Sequence, residues 1–266
     1  MLPSLRALEK EIARSIDWLR SAGVTSMNFD LMYGLPGQTR GDLGDSLEKT
    51  RAMGADRVAV FGYAHVPHMV PRQKMIDASD LPGGEERFAM AEQGFAFLTG
   101  HGYEPVGFDH FALPSDPMAL ATREGTLRRN FQGFTCDPSD VLIGMGSSAI
   151  SGFAILIAQN EKNNGRYRMF SSQGKLSAAV GIARSPDDRM RARLIEELLC
   201  RGKVELSPCL FAQAQSRLHP FTERGLARLD GLELAITREG LPYARVIAAL
   251  FDAYRETTQH KFSSAI

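Results

Sequence analysis

The chain predicts an α/β fold: a parallel sheet whose strands alternate with helices, followed by a mostly helical carboxyl-terminal unit. Apolar runs of strand length at 24–33, 57–63 and 103–108 alternate with segments of helical period. That order implies parallel strands joined by right-handed crossovers. After Leu142 the rhythm gives way to short strands, and from Ser185 onward apolar residues recur at helical spacing. Residues 1–184 are therefore expected to form one unit, and residues 185–266 a second, helical unit of winged-helix-like order.

Taken in order, Leu5, Leu8, Ile12, Ile16 and Leu19 recur at steps of three and four, which makes residues 4–22 an amphipathic helix. Gly23 closes it as a left-handed cap. The first strand, 24–33, runs into the turn Gly34-Leu-Pro-Gly37. Thr39 with Asp42 forms a capping box, and Leu43, Leu47 and Met53 carry that helix toward Gly54. Arg57 to Tyr63 is the second strand. Pro67 to Gly84 is a loop of a length that is often functional. A helix over 84–100 turns Phe88, Ala91, Phe95 and Leu98 inward, and Tyr103 to Phe108 is a third parallel strand. Farther on, 154–159, 166–170 and 178–182 read as antiparallel strands around the turn Asn163-Asn-Gly165. Ser185-Pro-Asp-Asp opens a helix with Met190, Leu194 and Leu198 inside. A strand pair lies within 226–236, and a last helix over 241–255 faces inward with Val246, Leu250 and Tyr254.

Composition excludes some function classes. Lys plus Arg equals Asp plus Glu at 31 each, so no nucleic-acid or anionic-membrane partner is expected, while a local basic pocket is compatible with neutrality. The helix-hairpin-helix order of the tail lacks the basic recognition helix of a DNA reader. No apolar run approaches the roughly 18 residues of a membrane span. Met1 leads into a charged helix without a signal peptide, and Cys136, Cys200 and Cys209 are scattered, so a reducing cytoplasmic location is expected. On the residues alone these cysteines are small buried hydrophobes, and no metal ligand set is proposed.

The segment Phe29-Asp-Leu-Met-Tyr-Gly-Leu-Pro-Gly-Gln-Thr39 concentrates the chemistry. In parallel α/β folds, ligands collect at the carboxyl ends of strands, where such turns sit. Asp30 is the anomaly, because a carboxylate in a buried strand must be solvated, paired or holding a ligand. Two alternatives stand: a grip on the hydroxyls or amine of a nucleotide-like cofactor, or a structural carboxylate tying down the next loop. The wording of this segment resembles the radical S-adenosylmethionine enzymes of porphyrin metabolism. Four later segments resemble the oxygen-independent coproporphyrinogen III oxidases among them and not their haem-chaperone relatives. These are Phe61-Gly-Tyr-Ala-His-Val-Pro67 with Arg72-Gln-Lys-Met-Ile76, Gly107-Phe-Asp-His-Phe-Ala112, Arg123-Glu-Gly-Thr-Leu-Arg-Arg-Asn-Phe-Gln-Gly-Phe134 and Leu142-Ile-Gly-Met-Gly-Ser-Ser-Ala-Ile-Ser151. The similarity runs from about residue 20 to the last residue.

The resemblance implies the second half of a partial (β/α)6 TIM-like barrel, with the carboxyl-terminal domain capping its mouth. It implies oxidative decarboxylation of two propionates of coproporphyrinogen III to vinyls, giving protoporphyrinogen IX. It also implies two S-adenosyl-L-methionine molecules and a [4Fe-4S] cluster held by a Cys-x-x-x-Cys-x-x-Cys motif. No such motif occurs here, so the chain is expected to be an incomplete piece that does not itself ligate the cluster. It would then need an upstream barrel half and act as a monomer once complete. The bare edge of the strand at 24–33 points the same way. Matched residue by residue, Asp30 and Ala64 correspond to contacts of the second S-adenosylmethionine and Ile150 to a contact of the first. A substrate with four propionates calls for arginines, and Arg72, Arg128 and Arg129 follow predicted strands. Solvated surface charge is the equal alternative for each. His65, His68 and His110 lie at strand ends, where a proton donor or propionate ligand would sit, with satisfied polar residues as the equal alternative. The second functional class is a non-catalytic porphyrin- or haem-binding relative.

Overall fold

The computed structural model describes residues 5–255. The start of the expected first helix and the last eleven residues of the tail lie outside the described residues, as do the side chains of Leu5 and Leu8. Helix α1 (Leu5–Ser21) ends on Gly23, whose φ of +88° lets Val24 N–H reach the Leu19 carbonyl at 3.0 Å. Its apolar stripe is not taken into a core: Ile12 and Leu19 stay 47% and 46% exposed. Polar contacts hold the helix instead, chiefly Arg20 on the Asp56 carboxylate at 2.5 Å.

Strand β1 (Asn28–Tyr33) starts later than expected. The Asp56 carboxylate accepts from Met27 N–H, and the Met27 carbonyl accepts from Asp56 and Arg57 N–H. The backbone before β1 is thus spent anchoring the start of its neighbour. Helix α2 (Arg40–Ala52) carries the expected capping box, with Leu43 and Leu47 fully buried. Strand β2 (Arg57–Gly62) pairs parallel with β1, Asn28 opposite Arg57 and Tyr33 opposite Gly62. Helix α3 (Gly84–Gly100) buries Met90, Gly94 and Leu98. A Cβ on Gly94 would stand 3.2 Å from Val60, which is why the helix can lie this close to β2. Phe88, expected inside, rests against Tyr243 instead.

The third parallel strand is replaced by a hairpin. Strands β3 (Glu104–Val106) and β4 (His110–Ala112) fold back on each other through Gly107, whose φ is +65°. The returning strand β4 inserts antiparallel beside β2, giving the order β1-β2-β4-β3. Strand β3 keeps the direction that a crossover demands and loses the position. Asp116 then caps α4 (Pro117–Glu124), accepting from Met118 N–H while it binds Arg57 at 3.2 Å and Ser26 at 2.7 Å.

Beyond this sheet, β5 (Arg128–Asn130) and β6 (Gly133–Thr135) form a hairpin. Strands β7 (Ile150–Gly152), β8 (Leu156–Asn160) and β9 (Ala178–Ala183) form a separate antiparallel sheet. The expected strand at 166–170 is helix α5 (Asn164–Ser172): the Asn163 side chain accepts from Arg166 N–H, so the Asn-Asn-Gly signal is a helix cap, not a hairpin turn.

Helix α6 (Pro186–Arg201) opens on the capping box of Ser185 and Asp188 and buries Leu194 and Leu198, while Met190 remains 41% exposed. Strand β10 (Lys203–Glu205), helix α7 (Pro208–Glu223), and strands β11 (Ala227–Asp230) and β12 (Glu233–Ile236) follow. The expected strand pair is a three-stranded sheet, β10-β12-β11, which adds the short strand after Gly202. The last helix breaks into α8 (Ala244–Ala248) between 3-10 turns at Leu241–Tyr243 and Ala249–Phe251. Its buried residues are Ile247 and Phe251 in place of Val246 and Tyr254, and Tyr254 caps outward onto Asp188 at 2.8 Å. This unit has its own core, and Phe108 and Phe134 join it to the preceding elements.

Candidate active-site face

One face of the four-stranded sheet is closed by α2 and α3, with Leu31, Tyr33, Val58, Val60 and Phe111 in that core. Period-two alternation sends the intervening residues of β1 to the other face, where Asn28, Asp30 and Met32 are exposed. Asp30 lies level with Ala59, and Ala59 with His110, so the acid and the imidazole flank one alanine. Two interstrand spacings separate them by about 10 Å. Asp30 is therefore mid-strand on an open face, not at a strand end. One of its oxygens accepts from Asn28 Nδ2 at 2.6 Å. It borders a cleft of about 480 Å³ whose apolar wall is Ile16, Leu19, Val24 and Met27.

Ala64 lies exposed just beyond β2. Gln73 fixes its backbone, donating to the Ala64 carbonyl at 2.9 Å and accepting from Val66 N–H at 2.6 Å. Arg87, from the first turn of α3, crosses the carboxyl ends of β1 and β2 and donates to the Tyr63 carbonyl at 3.0 Å. A Cβ on Gly62 would come within 2.8 Å of its guanidinium and one on Gly34 within 3.2 Å, so glycine at the end of β2 and just after β1 lets it pass. Burial raises the Tyr33 hydroxyl above its ordinary pKa; Arg87 opposes that shift and Asp109 adds to it. Gln73 and Arg87 were not singled out from sequence. Their partners are 9 and 24 residues away, and only the paired strand-end glycines hinted at a crossing side chain.

Ile150 stands on the separate β7-β8-β9 sheet, half-buried, and no described hydrogen bond joins it to Asp30 or Ala64. The glycines before it serve the loop itself. A Cβ on Gly144 would lie 2.6 Å from the Ile150 carbonyl. Gly144 N–H goes to Ser151 and Gly146 N–H to Tyr167, so neither amide is open to a ligand in this arrangement.

The three arginines separate by environment. Arg72 is exposed in the 3-10 turn Pro71–Met75. Arg128 is committed to Glu196 at 2.9 Å and Asp140 at 3.0 Å, and those hydrogen bonds raise its pKa. Arg129 is half-buried over Phe134, and its Nε is buried without a hydrogen-bond partner. Of the histidines, His110 meets the Asp109 carboxylate at 2.6 Å through Nδ1, and His65 faces the Tyr63 hydroxyl at 3.5 Å. Cys136 and Cys209 are exposed, against the buried reading, whereas Cys200 is buried and its thiol is pushed up to about 12 by that burial. Among the described residues no three His, Cys, Asp or Glu gather to hold a metal ion. Scattered along the chain, with one buried, the three cysteines do not fit a [4Fe-4S] cluster.

The fold and this face define a mixed α/β protein whose β1 edge exposes Asn28, Asp30 and Met32 beside strand-end glycines. Comparison makes this more particular. No protein-family model matches the chain. It is 39% identical over 266 residues to the oxygen-independent coproporphyrinogen III oxidase of Bradyrhizobium diazoefficiens, covering 97% of this chain and 59% of that protein. It is 41% identical to that of Cereibacter sphaeroides, covering 89% of this chain and 54% of the relative. A solved structure of Escherichia coli coproporphyrinogen III oxidase (HemN), described as a radical SAM enzyme, superimposes with a TM-score of 0.84 at 36% identity, over 92% of this chain and 59% of that one. The chain is thus similar to the oxygen-independent coproporphyrinogen III oxidases along nearly all of its own length. It spans somewhat under three-fifths of theirs. No helix among the described residues is long and apolar enough to cross a membrane.

Proposed function

We propose that this chain is the substrate-side portion of an oxygen-independent coproporphyrinogen III oxidase, acting in porphyrin biosynthesis. The single observation that carries the reading is the joint match in sequence and fold, 36% identity at a TM-score of 0.84 across 92% of the chain. Two propionate side chains of coproporphyrinogen III would each lose one hydrogen atom to the abstracting radical, carbon dioxide, and one electron to a one-electron acceptor, leaving a vinyl group. S-adenosyl-L-methionine, when bound, supplies the hydrogen-abstracting radical. Asp30 suits such a cofactor. Its solvated carboxylate has an oxygen free of the Asn28 bond to accept from a ribose diol or an ammonium, and the cleft beside it offers an apolar wall. Ala64, held by Gln73, presents backbone without side-chain bulk, and Ile150 offers an apolar surface for a second such molecule. The sheet would serve as the second half of a partial (β/α)6 barrel, completed by an upstream half, with residues from 185 onward as its cap. Excluding water from a radical is a recognised task of such lids.

The test is a chimera with the amino-terminal segment of the Bradyrhizobium relative placed ahead of Met1. It is expected to restore anaerobic growth to a bacterium lacking its own coproporphyrinogen III oxidase. A folded, cluster-loaded chimera that cleaves S-adenosylmethionine yet never restores growth would overturn the reading.

A further inference from the structure

We propose that Arg129 and His110, both seated on Phe134, form a subsite for one carboxylate arm of the substrate. The inference rests on the porphyrinogen reading and adds to it the residues that recognise an acid group. Strand pairing sets Arg129 directly opposite Phe134 on the β5–β6 hairpin, so the two share a face. The guanidinium lies 5.6 Å from the ring centroid. His110 meets the same ring edge-on, with centroids 5.4 Å apart at 82°. Gly107 makes this packing available, because a Cβ there would stand 2.0 Å from the ring. Phe134 is therefore a ring locked against the β3–β4 turn that touches both the Arg129 guanidinium and the His110 imidazole.

The electrostatics ask for an anion. Arg129 makes no described ion pair, and its buried Nε has no hydrogen-bond partner. The nearby Glu196 makes its contacts elsewhere: its Oε1 accepts from Arg128 Nε at 2.9 Å and from the Arg129 backbone N–H at 2.9 Å, and no described bond joins it to the Arg129 guanidinium. A half-buried cation left without a partner is costly, and a carboxylate placed against its fork recovers that cost with two parallel charge-assisted hydrogen bonds. Asp109 holds His110 through Nδ1 at 2.6 Å, which fixes the ring and leaves Nε2 as its second contact. The same row of the sheet carries Asp30 about 10 Å away, two strand spacings, within the breadth of a tetrapyrrole. Arg129 and His110 are positioning residues here: they hold an acid arm while chemistry proceeds elsewhere on the ring.

The test titrates the full chain with coproporphyrin III, the stable oxidised tetra-acid, and with its uncharged tetramethyl ester, following the Soret band. The wild-type chain is expected to bind the acid at least roughly tenfold more tightly than the ester, the difference one charge-assisted fork supplies. Arg129→Met should erase that preference with unchanged circular dichroism, and Arg129→Lys should restore part of it. The His110 ring resonances should move with the acid and not with the ester. Equal binding of acid and ester by the wild-type chain would overturn the subsite while leaving the porphyrin reading intact. So would an Arg129→Met chain that keeps the acid preference. Failure of the wild-type chain to bind either probe would overturn both.

Discussion

Gly107→Ala tests how tightly the β3–β4 turn and the β5–β6 hairpin are fitted. The backbone at 107 has φ +65°, a left-handed conformation that costs a residue with a Cβ about 1–2 kcal/mol. The added methyl would lie 2.0 Å from Phe134 Cζ and 2.3 Å from Cε2. Carbon atoms pack at about 3.5–4.0 Å, so the ring must retreat by roughly 1.5 Å. That retreat opens its edge contacts with Phe108, at 5.6 Å, and His110, at 5.4 Å. Aromatic pairs are worth about 0.5–1.5 kcal/mol each, which brings the total loss to roughly 2–5 kcal/mol. Urea denaturation followed by circular dichroism should show the midpoint falling by about 1–2 M. A double-mutant cycle sharpens the test: in a Phe134→Ala background the clash is gone, and Gly107→Ala should cost only its backbone share. A single Gly107→Ala chain within about 0.5 kcal/mol of the parent would refute this geometry.

Asp116→Ala should destabilise by about 3–5 kcal/mol in the same assay, because it strands the half-buried Arg57 guanidinium and uncaps α4. A loss under about 1 kcal/mol would mean the ion pair is dispensable. At pH 8 in native conditions a thiol reagent should modify Cys136 and Cys209 and spare Cys200, whose raised pKa keeps it a buried neutral thiol. Stability from that neutral thiol is present below the unfolded thiol pKa and is lost as pH climbs toward about 12. Asp188 runs the other way: hydrogen bonds from Ser185, then Tyr254, lower its pKa. Its contribution is present above the unfolded value and fades as pH falls through the depressed one. Carboxyl NMR titration of Tyr254→Phe should show Asp188 moving back up; an unmoved curve would remove Tyr254 from the network.

Local signals were legible where the chain decides them itself. Both capping boxes, at Thr39 and Ser185, and the Gly23 cap form as their residues dictate, because the partners are within five residues. The strand before the Gly34 turn was less plain: its apolar run suggests burial on both sides, whereas Asn28, Asp30 and Met32 alternate onto an exposed face. What local pattern cannot carry is pairing. Nothing in Tyr103–Phe108 announces that the next strand doubles back and takes the place beside β2. The Asn163 signal fits a hairpin turn and a helix cap alike, and tertiary context selected the cap. At the candidate site, Asp30 and Ala64 were legible as a resemblance, whereas Gln73 and Arg87 depend on contacts across the fold. The arginines looked alike in sequence; only the placement of Glu196 and Asp140 commits Arg128 and leaves Arg129 with its charge unspent.

The most direct measurement is product analysis of the chimera under anaerobic conditions, with coproporphyrinogen III, S-adenosylmethionine, a reductant for the cluster and a one-electron acceptor, resolving the oxidised porphyrins by chromatography. Protoporphyrin should accumulate with the wild-type chain. It should fall by a factor of at least about ten with Asp30→Ala, a loss of the order of one charge-assisted contact, while the melting temperature stays within a few degrees. Coproporphyrin left unchanged by a chimera that does cleave S-adenosylmethionine, or an Asp30→Ala chain as active as its parent, would contradict the assignment of this sheet face.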